Sequence, residues 1–149
     1  MANFVYTEAT RAFMEAELDL NATDDVRMII VMSNTTTDTE EDVTTMGGFT
    51  TLDEYDGTGY VAGGQTLDNE VVNKDDANNR SEFDADDEVF SNLGVGTRQA
   101  VAIVVFKFIT SFSLSLPLAF MDTGGFPFDG NGNDVTFEWN AEGIIQLQA

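Results

Sequence analysis

The chain contains no cysteine and no histidine, only two prolines, and six basic side chains against 27 acidic ones in 149 residues. Each shortage removes a class of chemistry. Without cysteine there is no disulfide, no thiol nucleophile and no zinc site built on thiolates. Without histidine the commonest general base and transition-metal ligand is gone, and with it every Ser-His or Cys-His constellation. Paired carboxylates could still cleave a glycoside, but no spacing singles out one pair among the 27. No catalytic centre is expected. The lack of cations leaves a formal net charge of −21, a field that repels phosphate and anionic lipid, so neither nucleic acid nor membrane is expected as a partner.

What is present suffices for one domain with an ordinary core, at 42% hydrophobic residues. The N-terminal residues show no basic segment leading into an apolar stretch, so no secretory signal is expected. Residues 7–18 read as a short amphipathic helix, with Thr7 as its cap and Thr10, Phe13, Met14 and Leu18 at helical spacing. A buried strand follows from Val26 to Met32, then a helical turn over 39–46 stopped by Gly47-Gly48. Gly57 to Gly64 is a glycine-punctuated connection without the lysine of a phosphate loop. Strands are expected over 65–73, 80–84, 88–92, 98–108, 114–122 and 134–140. In the last, Val135, Phe137 and Trp139 share one face, and a turn at 140–143 leads into 144–148 as a C-terminal hairpin. The pattern predicts a mainly β, single-domain antiparallel β-sandwich with a short N-terminal helix.

Two stretches call for a decision between readings. Val101 to Ala119 nearly reaches the ~20 residues of a bilayer helix, but its β-branched first half, its alternating Ser and Leu, and Pro117 favour two strands and a connection. Lys107 and Pro117 then mark strand ends, and Phe108, Ile109, Phe112, Leu114 and Leu116 form an apolar connection, the candidate intersubunit contact. The alternative is that the strands run longer and these side chains enter the core, with Ser111, Ser113 and Ser115 outward. The second stretch is Asp129-Gly-Asn-Gly-Asn-Asp134, which opens like a calcium loop, with Asp129, Asn131, Asn133 and Asp134 as candidate ligands. It departs where Asp134 replaces the turning glycine and Asn140 the bidentate glutamate. The plainer reading is a polar turn before a strand. Asp84, Asp86, Asp87 and Glu88 form a further acidic cluster without ligand spacing. Asn21 and Asn34 open glycosylation sequons, a pattern frequent by chance.

Residues Gly57-Thr-Gly-Tyr-Val-Ala-Gly-Gly-Gln-Thr-Leu67 and Asp76-Ala-Asn-Asn-Arg-Ser-Glu-Phe-Asp-Ala-Asp-Asp87 resemble a signature of small virion proteins of tailed bacteriophages. The ending Val135-Thr-Phe-Glu-Trp-Asn-Ala-Glu-Gly-Ile144 is similar to the close of the same proteins, and the helix and strand of residues 6–32 are similar to their N-terminal helix and strand. The resemblance implies a structural role: a capsid decoration (cement) protein on the outer surface of the phage head. The major capsid protein would be its partner, and the chain itself a homo-oligomer, with a trimer favoured. The family places a polar loop between the positions of Lys107 and Pro117, where this chain has Phe-Ile-Thr-Ser-Phe-Ser-Leu-Ser-Leu. Competing readings are a tail or baseplate component binding a host glycan, which an exposed Trp or Tyr in a cleft would support, and a calcium-dependent binding module. A carboxylate-pair hydrolase ranks last.

The charge carries a direct expectation. Self-repulsion at −21 is relieved by counterions as the Debye length falls from ~30 Å at 0.01 M to ~3 Å at 1 M salt. Thermal midpoints should therefore rise steadily across that NaCl range, and a flat series would refute the expectation. A calcium-specific increment that disappears in Asp129→Ala would identify the Asp129 loop as a cation site.

Overall fold

The computed structural model describes residues 3–21 and 23–148. In chain order they form β1 (Phe4–Val5), α1 (Thr7–Met14), β2 (Val26–Met32), a 3₁₀ turn (Met46–Gly48), β3 (Gln65–Thr66), β4 (Val71–Asp75) and β5 (Arg80–Asp84). There follow β6 (Glu88–Leu93), β7 (Ala100–Ile109), β8 (Ser111–Met121), β9 (Asn133–Phe137) and β10 (Ile145–Gln148). The expected class holds: antiparallel sheets with one short helix, in a sandwich-like arrangement. The central sheet has the order β1-β8-β7-β2-β3, and two smaller sheets, β10-β5-β4 and β6-β9, accompany it.

The central sheet is the core because β2, β7 and the second half of β8 are near-continuous apolar runs, the pattern of strands covered on both faces. Of β2 only Arg27 is not buried. Val104, Phe106, Leu118 and Phe120 are fully buried, each contributing roughly 1.5–3 kcal/mol. Helix α1 lays Ala9 and Ala12 against this core. Gly47 in the 3₁₀ turn approaches β8 so closely that a Cβ there would stand 2.8 Å from the Ser113 carbonyl oxygen.

Several expectations are corrected, each by a non-local or capping interaction. The helix stops at Met14 because Ala16 turns left-handed (φ 58°), and the N–H groups of Ala16 and Glu17 return to the carbonyls of Phe13 and Ala12, a Schellman closure. Met14 is therefore 82% exposed rather than on the packed face. Thr7 is the first helical residue, not the cap; Tyr6 holds the cap position and makes no side-chain capping bond. Residues 39–45 form turns instead of a helix. There the Glu40 carboxylate accepts from the Thr36 and Thr50 hydroxyls and the Thr50 N–H, bonds that hold it below the usual carboxylate range. The expected strand over 65–73 divides between β3 and β4 of different sheets at Asn69, which is left-handed (φ 55°). No C-terminal hairpin forms, since β9 pairs with β6 and β10 with β5.

The largest correction concerns the β7–β8 hairpin, whose strands continue past Lys107 and Pro117 to a tip at left-handed Thr110 (φ 54°). Proline is tolerated beside a bulge, and Pro117 lies opposite Phe106 next to a register shift. Lys107 is anchored inward, its ammonium 2.7 Å from Asp24 and 3.0 Å from the Glu17 carbonyl oxygen. Ser115 is buried rather than outward. Its hydroxyl accepts from Ile109 N–H (3.1 Å) and donates to the Ser111 carbonyl (2.8 Å), satisfying backbone that the bulge leaves unpaired.

One hydroxyl joins the central sheet to the β6–β9 pair. The O–H of Tyr55, a residue only 3% exposed, donates to the Gly94 carbonyl (2.8 Å) and accepts from the N–H groups of Gly96 (3.0 Å) and Gly130 (3.2 Å). Tyr55→Phe would keep the ring and strip buried Gly94 and Gly130 of their partner. At about 1–3 kcal/mol per bare group, the variant should lose at least about 2 kcal/mol. Urea unfolding would show this as a lower midpoint at unchanged m-value; an unchanged midpoint would dissolve the junction's importance.

Candidate functional site

The three sheets do not merge at one end, and there the edge strands β1, β9 and β10 border an open groove of about 970 Å³. Its floor comes from the end of β8 and from Ile103. Its walls carry part-exposed aromatic rings. Phe126, Phe128 and Phe137 cluster with centroids 5.5 to 6.2 Å apart, and Trp139 lies just beyond the end of β9. Phe4 stacks on Phe120 at 5.3 Å from the β1 side. The turn after β8 uses Gly124 and Gly125 at positive φ (84° and 118°), a backbone that favours glycine.

Trp139 is held at its polar atoms. Its backbone N–H donates to Asp87 Oδ1 (2.9 Å) and its indole N–H to the Asp86 carbonyl (2.8 Å). The acidic cluster seen in the sequence is thus partly an anchor for this ring. Asp86 also accepts from Asn69 Nδ2 (2.6 Å), and Asp84 from the Ala85 N–H.

All six basic side chains of the chain, Arg11, Arg27, Lys74, Arg80, Arg98 and Lys107, lie within ion pairs. None lines the groove, where the charged side chains are Asp134 and Glu138.

The structure separates the five residues of the apolar segment. Leu116 is buried in the core. Phe112 meets Phe106 edge-on at 5.4 Å, and the Arg27 guanidinium sits 3.8 Å over the ring of Phe108. Ile109 and Leu114 remain, 40% and 56% exposed at the hairpin tip. The apolar patch is therefore two side chains wide instead of five.

The Asp129–Asp134 loop is a turn whose oxygens have protein partners. Asp129 Oδ2 accepts from Gln99 Nε2 (3.0 Å), Asn131 Oδ1 from Asn133 N–H (3.0 Å), and Asp134 Oδ1 from Asn92 N–H (2.8 Å). Among the described residues no three acidic side chains converge closely enough to hold a metal ion.

Sequence reasoning placed Trp139 on one face with Val135 and Phe137 and missed the groove. The alternation along β9 was readable, but nothing local shows that residues 3–5, 119–126 and 143–146 meet. No protein-family model, curated protein or solved structure matches the chain.

Glu88, opposite Phe137 at the start of β6, is buried with its Oε1 lacking a hydrogen-bond partner. Burial pushes its carboxyl upward, and the charges of Asp68, Asp86 and Glu70 add to this against one bond from the Asp68 backbone. A carboxyl raised in the folded state costs nothing while both states are protonated. Its penalty develops as pH rises from the ordinary value near 4.3 through the higher native value, and is complete above it. Glu88→Gln should therefore raise the urea midpoint at pH 7 and leave it unchanged below about pH 4. A variant less stable than the parent at pH 7 would show that the ionised form is favoured there.

Proposed function

We propose that this chain is a virion structural protein, a capsid decoration (cement) protein that docks on the outer surface of a phage head. The observation that carries this reading is the β7–β8 tip, where Ile109 and Leu114 stand exposed at the end of strands of ten and eleven residues. The stretches that resemble phage virion proteins support it from a second direction. Residues 57–67 build the glycine-rich connection around Tyr55, and 76–87 build the β4–β5 turn and the Trp139 anchor. A body of net charge −21 suits the outside of a particle, away from packaged DNA.

Energetics favour more than one copy. Ile109 and Leu114 are already about half covered, so burying the rest contributes roughly 1.5–3 kcal/mol in all, against association costs of about 4–15 kcal/mol. One tip holds a surface weakly, whereas three tips linked in a homotrimer gain by effective concentration. The partner on the shell is the major capsid protein.

The test is Ile109→Asp combined with Leu114→Asp. Both positions are exposed, so the double variant should fold with the parental circular dichroism and melt, yet fail to co-sediment with heads lacking the protein. A folded variant that decorates heads as the parent does would sink the proposal.

A further inference from the structure

We propose that the groove bordered by β1, β9 and β10 is a binding site for an uncharged oligosaccharide. This goes beyond the decoration reading and does not depend on it.

Size is the first argument. At about 970 Å³ the groove stands at the upper end of the ~300–1,000 Å³ of small-molecule sites. It is also open, so a chain of sugars can run through it. Its chemistry is the second. A sugar ring has a face of C–H bonds and a rim of hydroxyls that both donate and accept. The aromatic surface of Trp139 and Phe126 suits the first. The indole N–H is already committed to Asp86, so what Trp139 offers a ligand is its hydrocarbon surface, and its two hydrogen bonds fix that surface in place. The Asn3 amide and the Thr123 hydroxyl, hydrogen-bonded to each other at 3.0 Å on the groove's lining, suit the second.

Charge narrows the class. The charged groups lining the groove are two carboxylates, and every basic side chain of the protein is engaged in an ion pair. A sialylated, sulfated or phosphorylated glycan would meet repulsion with no counter-charge. The other occupant for a site between strand edges is an extended peptide added as a strand. That mode relies on main-chain hydrogen bonds along one continuous edge, and the bordering edges belong to three separate sheets and are short, two residues in β1, five in β9 and four in β10. The observations favour the sugar.

The protein supplies its own reporter, because Trp139 is its single tryptophan. The full chain, without particles, would be titrated with the hexaoses of glucose, mannose and N-acetylglucosamine, with polygalacturonate fragments, and with a lysine-rich peptide, while Trp139 emission is followed. A saturable change is expected with at least one neutral hexaose and none with polygalacturonate. Asn3→Ala combined with Thr123→Ala should weaken that binding by about tenfold or more at an unchanged melt. Silence from all three hexaoses, equal binding of the acidic polymer, or a response to the peptide alone would each overturn the proposal. So would full affinity in the double variant. Because no head is present, failure here leaves the docking of the hairpin tip untouched.

Discussion

The hydroxyl of Tyr55 is the contact on which the arrangement of the sheets depends. Its ring sits just after the bridge that pairs Glu54 with Val31 of the central sheet. Gly94 directly follows β6 and Gly130 precedes β9, so three bonds to one oxygen set where the β6–β9 pair sits. The backbones come together only because side chains are missing. A Cβ on Gly57 or Gly130 would lie 2.2 or 2.1 Å from the Gly94 carbonyl oxygen, distances that no rotamer change relieves. The glycines of the 57–64 connection are in part a packing requirement. The groove, with β9 as one wall, inherits its shape from this junction.

The charge imbalance is handled locally. Basic side chains are few, and three of the six, Arg80, Arg98 and Lys107, tie segments distant in the chain. Lys107 holds the 17–24 loop to β7. Arg80 gathers Asp75, Glu82 and Glu142 across the β4–β5–β10 sheet. Elsewhere carboxylates are stabilised by hydroxyl and amide donors, as at Asp56 with Thr97 and Asp75 with the turn at Asn78, both held below the ordinary carboxylate range. Glu54 and Glu88 are opposite cases, raised chiefly by burial. Glu54 has donors in the Tyr60 hydroxyl and the Gly63 N–H, whereas Glu88 keeps one oxygen bare.

The two surfaces proposed to act lie at opposite ends of one strand. The exposed tip begins at Ser111, and the far end of β8 at Ala119 to Met121 floors the groove. Ten steps of about 3.4 Å separate Ser111 from Met121, about 34 Å in all. A copy docked by its tip would hold the groove well away from the shell, open to whatever approaches the particle.

By itself the sequence determined the mainly β class, the single helix, the full spans of β2 and β5, most of β6, and the absence of thiol and imidazole chemistry. These are properties of composition and of periodicity within a few residues, and such signals are local. Only the tertiary structure decided which strand pairs with which, that Pro117 sits inside a ladder and Ser115 inside a bulge, and that Trp139 faces a groove. It also reduced the five-residue apolar segment to Ile109 and Leu114, because Phe106 and Arg27 cover Phe112 and Phe108 from other points in the chain. The partner that buries a residue or satisfies its backbone lies tens of positions away, and hydrophobic burial has no direction in sequence. A pattern can therefore show that a side chain needs cover, and the fold alone shows what covers it.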